Sequence, residues 1–455
     1  MKGSRGRPTS VRRAARNWIP GIAMLAVVLA GQLLAGPVGE EVVHGTAHFT
    51  REGNLTTIEA SHNAIVHYQS FNVARPETVR FVQPSELARV LNRINGAAPS
   101  HINGTLRANG IVYFVNPAGV YFGPNSIVDV GGIHAAAGAL SNADFLGGID
   151  RFVDLNGSVV NWGRITADSV KLAGRHVANY GSIIAEKGMV AMGAGDEVYL
   201  GTVGGQMMVK VEGGGNEGDG PAVENVGSIN AAKGSVMLGA GDMFSLAVRN
   251  SGTVKADEVA IQGGKDGVVD VQGTLDASND AGQGGTVTVT GDRVAVSGAT
   301  VDASGAEGGG TIRIGGDLRG EGDLPTAART YVSADSVLAA DALLTGGGGT
   351  VVVWSDELTG FYGAIRATGG PAGGDGGFAE VSSRGAVLYR GTANLSAPAG
   401  ARGTLLMDPL TVTILGGTGD GAADGTDTFQ GDVNGIAGSI LFDPLEDTAP
   451  SVVYE

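Results

Sequence analysis

Asn161-Trp162-Gly163-Arg164-Ile165-Thr166-Ala167 and Asn179-Tyr180-Gly181-Ser182-Ile183-Ile184-Ala185 share one frame: Asn-x-Gly, then an apolar residue, then Ala two positions on. The frame returns at Asn225-Val226-Gly227-Ser228-Ile229-Asn230-Ala231 and Asn250-Ser251-Gly252-Thr253-Val254-Lys255-Ala256, and without its Asn at Val271-Gln272-Gly273-Thr274-Leu275-Asp276-Ala277. Asn and Gly are the residues that most readily enter the left-handed backbone region, so each frame marks a tight corner before a strand. Around the corners the apolar positions alternate, as in Val170-Lys171-Leu172 and Thr286-Val287-Thr288-Val289, the period of a strand with one buried face. The repeat is about twenty residues, the length of one solenoid coil, and the longer interval from Asn179 to Asn225 is read as two such units. One coil cannot bury its own apolar side chains, so stability must come from stacking. Stacked coils set Asn above Asn, within reach of amide hydrogen bonds along the axis. The fold class that follows is all-β, a right-handed parallel β-helix.

Composition agrees. The 455 residues hold 79 glycines, few aromatics and only 17% charged residues, a mixture suited to many corners and unsuited to a helical bundle. There is no Gly-X-Y period, which excludes collagen, and Val, Ile, Leu and Ala are too abundant for a disordered chain. The first 17 residues carry Lys2, Arg5, Arg7, Arg12, Arg13 and Arg16 with no acid, and an apolar run from Ile19 to Ala35 follows. That order predicts a signal peptide over 1–35. An uncleaved anchor is the alternative, but Gly21 and Gly31 interrupt a run already short for a spanning helix. Removing the leader leaves a remainder more acidic than the whole chain's formal charge of −16. Such a surface repels phosphates, so no nucleic-acid partner is expected. There is no cysteine, although an exported chain meets an oxidising compartment. Two readings fit: a chain threaded through a pore cannot first be cross-linked, or a long solenoid needs no staples.

Residues 53–147 carry a second kind of pattern. It includes Val66-His67-Tyr68-Gln69-Ser70-Phe71-Asn72-Val73, Val90-Leu91-Asn92-Arg93-Ile94, Pro99-Ser100-His101-Ile102-Asn103-Gly104 and Tyr113-Phe114-Val115-Asn116-Pro117-Ala118-Gly119-Val120-Tyr121-Phe122-Gly123. In order, spacing and residue type this segment resembles the amino-terminal secretion domain of the filamentous-haemagglutinin family of two-partner secretion exoproteins. The resemblance implies a β-helical secretion domain over 36–150, β-helix repeats over 151–405, and an acidic Gly-rich segment over 406–455. That last segment ends without an evident polar cap, so a truncated member of a longer class is expected. The resemblance also implies a partner, an outer-membrane β-barrel transporter with periplasmic POTRA domains, and a secreted, cell-surface-associated adhesin whose further partner is a host, cell-surface or polysaccharide receptor. It implies that Asn116, Pro117, Ala118 and Gly119, with Asn92 and Arg93, form the recognition motif. Ala118 replaces the second Asn of the family's Asn-Pro-Asn-Gly turn, and Asn-Pro-Asn-Leu is absent.

The same residues have a reading without the family. Ile111 to Val115 is a continuous apolar run suited to a buried strand, and Asn116-Pro117 stops it because proline cannot donate to a ladder. Gly119 frees the backbone before the next strand. Arg93, between Leu91 and Ile94, is either a solvated side chain or a guanidinium tying a loop to the helix through carbonyl oxygens.

Chemistry is sparse. Gly-x-Ser-x-Gly, Gly-x-x-x-x-Gly-Lys-Ser/Thr and His-Glu-x-x-His do not occur. The acid pairs Asp196-Glu197, Asp257-Glu258 and Asp356-Glu357 point to opposite faces of a strand and are expected at solvated corners rather than in a polysaccharide lyase or hydrolase. His44 and His48 sit in a strand context, not on a helix face. Gly213 to Gly220 and Gly416 to Gly425 lack the repeated nonapeptide that binds calcium. No enzyme activity, metal or cofactor is therefore expected. The rival to the adhesin reading, besides a lyase, is the stem of a contact-dependent toxin.

Overall fold

The computed structural model describes residues 36–203, 206–212, 220–241 and 246–407, with strand backbone at 411–414, 429–433, 436–442 and 451–454. The expected leader, most of Gly213 to Gly220, and Gly416 to Gly425 lie outside the described residues.

The chain visits three parallel sheets in turn. One coil is Ser158–Asn161, Arg164–Thr166 and Ser169–Gly174; the next is His176–Asn179, Ser182–Ile184 and Met189–Ala194. They stack in register through Val159 on Val177, Ile165 on Ile183 and Val170 on Val190. The alternation seen in the sequence turns these residues, with Leu172 and Met192, into a single core that runs through the coils. One of the three sheets stacks eleven strands, from Ser100–Ile102 to Ala386–Tyr389, every neighbour pair parallel. The architecture is a parallel β-helix that continues without a break through residue 150.

The interval from Asn179 to Asn225 differs from the two units expected. Asn179 pairs directly with Asn225, so one coil spans it. The surplus residues leave the helix as an antiparallel hairpin, Glu197–Val203 against Gln206–Glu212, which pairs with Arg151–Phe152. The hairpin has strand alternation but no Asn-x-Gly corner, so spacing between corners could not separate an excursion from a second coil.

The first coils are closed by antiparallel pairing, Glu41–His44 on Ala64–Tyr68 and Ala47–Glu52 on Leu55–Ala60. This covers an edge that would otherwise template another chain. In the glycine-rich coils, Asp276 Oδ1 accepts from Ser278 N at 3.0 Å and Asp302 Oδ1 from Ser304 N at 2.8 Å, the side-chain turns that Asp-x-Ser favours. Gly310, Gly349, Gly377 and Gly403 form a column in which a β-carbon on one would collide with the carbonyl of the glycine beneath, which is why these corners stay glycine.

Candidate functional site

The strand Ile111–Val115 is apolar on both faces because both faces are covered. Val112 and Phe114 point into the core, and Tyr113 and Val115 into a second apolar cluster on the outside of the same sheet. Asn116 ends the strand fully buried. Its Nδ2 donates to Ala98 O at 3.1 Å and Ser100 Oγ at 3.0 Å, and its Oδ1 accepts from Ala118 N at 3.0 Å. Gly119, at φ +120°, closes the corner by donating its N–H to Asn116 O at 2.9 Å. Of the four motif residues only Pro117 is exposed, with Ala118 half-buried.

Asn92 and Arg93 lie on the adjacent rung, facing Phe114 and Val115. Asn92 is buried and donates to Tyr113 O at 3.0 Å. Arg93 points outward: Nη2 donates to Leu140 O at 2.6 Å, and Nη1 lies 2.9 Å from His67 Nε2. Burial lowers the pKa of both partners, and the guanidinium lowers that of His67 further, so the imidazole is neutral and accepts. The six expected residues thus fall on neighbouring rungs, with Asn92, Asn116 and Gly119 buried, Arg93 and Ala118 half-buried and Pro117 exposed.

What Arg93 ties down is a cover over the outer face of the sheet. Its parts are a short helix, Asn142–Gly147, and the antiparallel strands Arg151–Phe152, Glu197–Val203 and Gln206–Glu212. The helix starts where Ser141 Oγ accepts Asp144 N at 3.0 Å and stops at left-handed Gly148. Phe145, Phe152, Val198 and Leu200 bury against Leu91, Tyr113, Val115 and Ala136.

Beneath the cover lies a polar cluster that sequence reasoning missed. Tyr113, His134 and Lys171 stand in register on three successive rungs. Asp150, in the segment joining the helix to Arg151–Phe152, meets all three: Tyr113 Oη donates to Oδ1 at 2.8 Å, Lys171 Nζ to Oδ2 at 2.6 Å, and His134 Nδ1 is 3.4 Å from Oδ2. Lys171 also donates to Leu200 O at 3.0 Å, and His134 Nε2 lies 3.0 Å from Ser169 Oγ. Burial works to raise the Asp150 pKa, but His134 and Lys171 outweigh it and hold the carboxyl well below the usual range. Burial lowers the His134 pKa against the pull of Asp150, and burial with the Asp150 charge pushes the Tyr113 phenol up. The cluster is a Lys171–Asp150 ion pair to which the Tyr113 phenol donates, with the His134 imidazole beside the carboxylate. Its sequence signal was a polar residue at the centre of apolar strands, Tyr113 in Val112-Tyr113-Phe114 and His134 in Ile133-His134-Ala135, but the acid that gathers them is many residues away.

The corner asparagines make a buried ladder. Asn161 Nδ2 donates to Asn179 Oδ1, Asn179 to Asn225 and Asn225 to Asn250, each at 2.8 Å. In two of the three acid pairs each acid meets a cation: Asp196 with Arg175 at 2.5 Å, Glu197 with Arg151 at 2.6 Å, Asp356 with Arg384 at 3.2 Å and Glu357 with Arg329 at 2.9 Å, whereas in the third Glu258 accepts from Ser235 Oγ at 3.3 Å. His44 Nδ1 lies 3.0 Å from Asn63 O. Among the described residues no three His, Asp or Glu gather as metal ligands.

With this geometry in view, the chain matches the TPS secretion domain family model over residues 36–271, which extends past the boundary expected at 150. A heme/hemopexin-binding protein of Haemophilus influenzae strain Rd is 33% identical over 172 residues, 35% of this chain and 19% of that protein. A second Haemophilus influenzae heme/hemopexin-binding protein is 35% identical over 101 residues, 22% of this chain and 11% of that protein. The chain therefore spans a fifth or less of these relatives' length. The crystal structure of the HMW1 secretion domain from Haemophilus influenzae superposes with a TM-score of 0.70 at 29% identity, covering 81% of this chain and 100% of that one. Family match and superposition coincide on the β-helix that holds the Asn116 corner, and the chain belongs to the TPS secretion domain family, as a two-partner-secretion exoprotein with its secretion domain at the amino-terminal end.

Proposed function

We propose that this protein is an adhesin-type surface protein whose amino-terminal module engages the POTRA domains of an outer-membrane β-barrel transporter and then seeds folding outside the cell. The observation that carries the reading is the family match over residues 36–271. The Asn116 corner supports a nucleating role: Asn116 reaches back to Ala98 and Ser100, so it closes contacts of short sequence separation that form early. Because Asn92, Asn116 and Gly119 are buried after folding, contact between them and the transporter belongs to the unfolded chain, and only Pro117 and part of Ala118 stay available afterwards. Coils that touch only their neighbours can then fold in the order in which they emerge. Four of the six acids in the three expected pairs have their own cation, which supports a non-enzymatic reading.

The test is export from cells carrying the transporter. Deleting residues 36–150 should abolish appearance in the medium, and undiminished export of the deleted protein would refute the secretion role. Substituting Asn116→Ala should slow export and folding, whereas Pro117→Ala should separate contact from nucleation: export falls with normal folding only if the transporter touches this turn.

A further inference from the structure

The Asn-x-Gly frame fixes two columns at once. Its Asn points inward to the buried ladder, so the middle residue points outward, and on three successive rungs this residue is Trp162, Tyr180 and Val226, exposed by 43%, 39% and 44%. Nothing in the corner requires an aromatic there, since Ser251 and Gln272 hold the same place on the next rungs. Isolated exposed apolar residues are ordinary; a contiguous row on one column is not. Toward the amino-terminal coils Tyr121 and His101, on the column in register with Val160, continue the series of rings. Ring centroids are separated by 5.3 Å from His101 to Tyr121, 6.2 Å from Tyr121 to Trp162 and 5.8 Å from Trp162 to Tyr180, with interplanar angles of 15° to 20°. Parallel rings in full face contact would lie about 3.5–4 Å apart, so these are offset and each leaves part of a face open. At the far end Tyr180 Oη donates to Glu224 Oε2 at 2.6 Å, which fixes the last ring and places a carboxylate acceptor beside it.

We infer that the strip His101–Tyr121–Trp162–Tyr180 is a binding surface for a neutral, hydroxyl-rich glycan chain, laid along the helix axis with about one sugar ring per rung. Aromatic faces carry negative quadrupole charge and attract the weakly positive C–H faces of pyranose rings, while the ring edges and Glu224 meet hydroxyls. The chain's net charge of −16, with the Glu224 carboxylate beside the last ring, disfavours an acidic polysaccharide. This deepens the adhesive part of the proposed function and is independent of the export part.

The probes are cellohexaose and chitohexaose, titrated into the full chain while the intrinsic tryptophan emission and the binding heat are followed. Trp354 is fully buried, so Trp162 is the reporter among the described tryptophans. The expected result is a blue shift with at least one oligomer, unchanged between low and high salt because the ligand is neutral. Trp162→Ala and Tyr180→Ala should each weaken binding by roughly fivefold to tenfold. Trp162→Phe should keep the binding heat and lose the emission change, which guards against a variant that merely misfolds. No emission change and no heat with either oligomer, wild-type affinity in folded Trp162→Ala, or binding of heparin in preference to both oligomers would overturn the inference. All of these variants should still be exported, so loss of glycan binding with normal export separates this inference from the export reading, which stands or falls on the deletion of residues 36–150.

Discussion

Substituting Asp150→Ala tests whether the carboxylate beneath the cover holds the cover in place. The substitution removes the acceptor of Tyr113 Oη and leaves the Lys171 ammonium with only Leu200 O. Breaking a buried pair from one side costs about 3–5 kcal/mol. Because Lys171 keeps a carbonyl partner and its side chain is 12% exposed, the lower end applies, about 3 kcal/mol. The cover can open while the coils stay folded, so global denaturation is the wrong measure for it. Hydrogen exchange of individual amides reads the opening of the cover itself. The Leu200 N–H, which donates to Asp150 O at 3.0 Å, and the Phe145 N–H in the helix should lose protection by about a hundredfold. Val177 N–H, inside the coils, should change little. The double substitution Asp150→Leu with Lys171→Met should recover most of the loss, since a packed apolar pair can replace a buried ion pair. Unchanged exchange at Leu200 in the single variant, or equal loss at Leu200 and Val177, would refute this account of how the cover is held.

Four further outcomes follow from the same geometry. His134, facing Tyr113, Asp150, Lys171 and Ser169, has a folded pKa held below its unfolded value near 6.5, so the unfolded form takes up the proton first; cover protection should fall as pH drops below about 6.5 toward the folded value, and His134→Gln should flatten that step in exchange measured against pH. Asp150, with a folded pKa below its unfolded value near 3.9, should add a separate loss only below about pH 4. Asn179→Ala removes two ladder bonds and should cost about 2–4 kcal/mol in urea unfolding, roughly twice the cost of Asn250→Ala, whose place at the end of the ladder removes one. Gly119→Ala puts a β-carbon 3.0 Å from Ser158 O at a φ of +120°, so its melting temperature should fall by the equivalent of about 1–3 kcal/mol, while Pro117→Ala leaves it unchanged.

The coils were legible in the sequence because their rules are local. A corner needs Asn or Gly where the backbone turns left-handed, a strand buried on one face alternates, and a coil repeats its length; so Asn161, Asn179, Asn225 and Asn250 announced both the solenoid and the ladder of amides along it. Asn116-Pro117 likewise marked the end of the buried strand Ile111–Val115. What leaves the repeat was decided only in three dimensions. The hairpin 197–212 has a strand's alternation whether it stacks or protrudes, and its length looked like another coil. Asp150 is one acid among many in the sequence until folding sets it against Tyr113, His134 and Lys171, and Arg93 gains its role from the Leu140 carbonyl across the cover. Periodic contacts between neighbouring rungs write themselves into sequence spacing, whereas a single pairing between a coil and an excursion leaves no period to read.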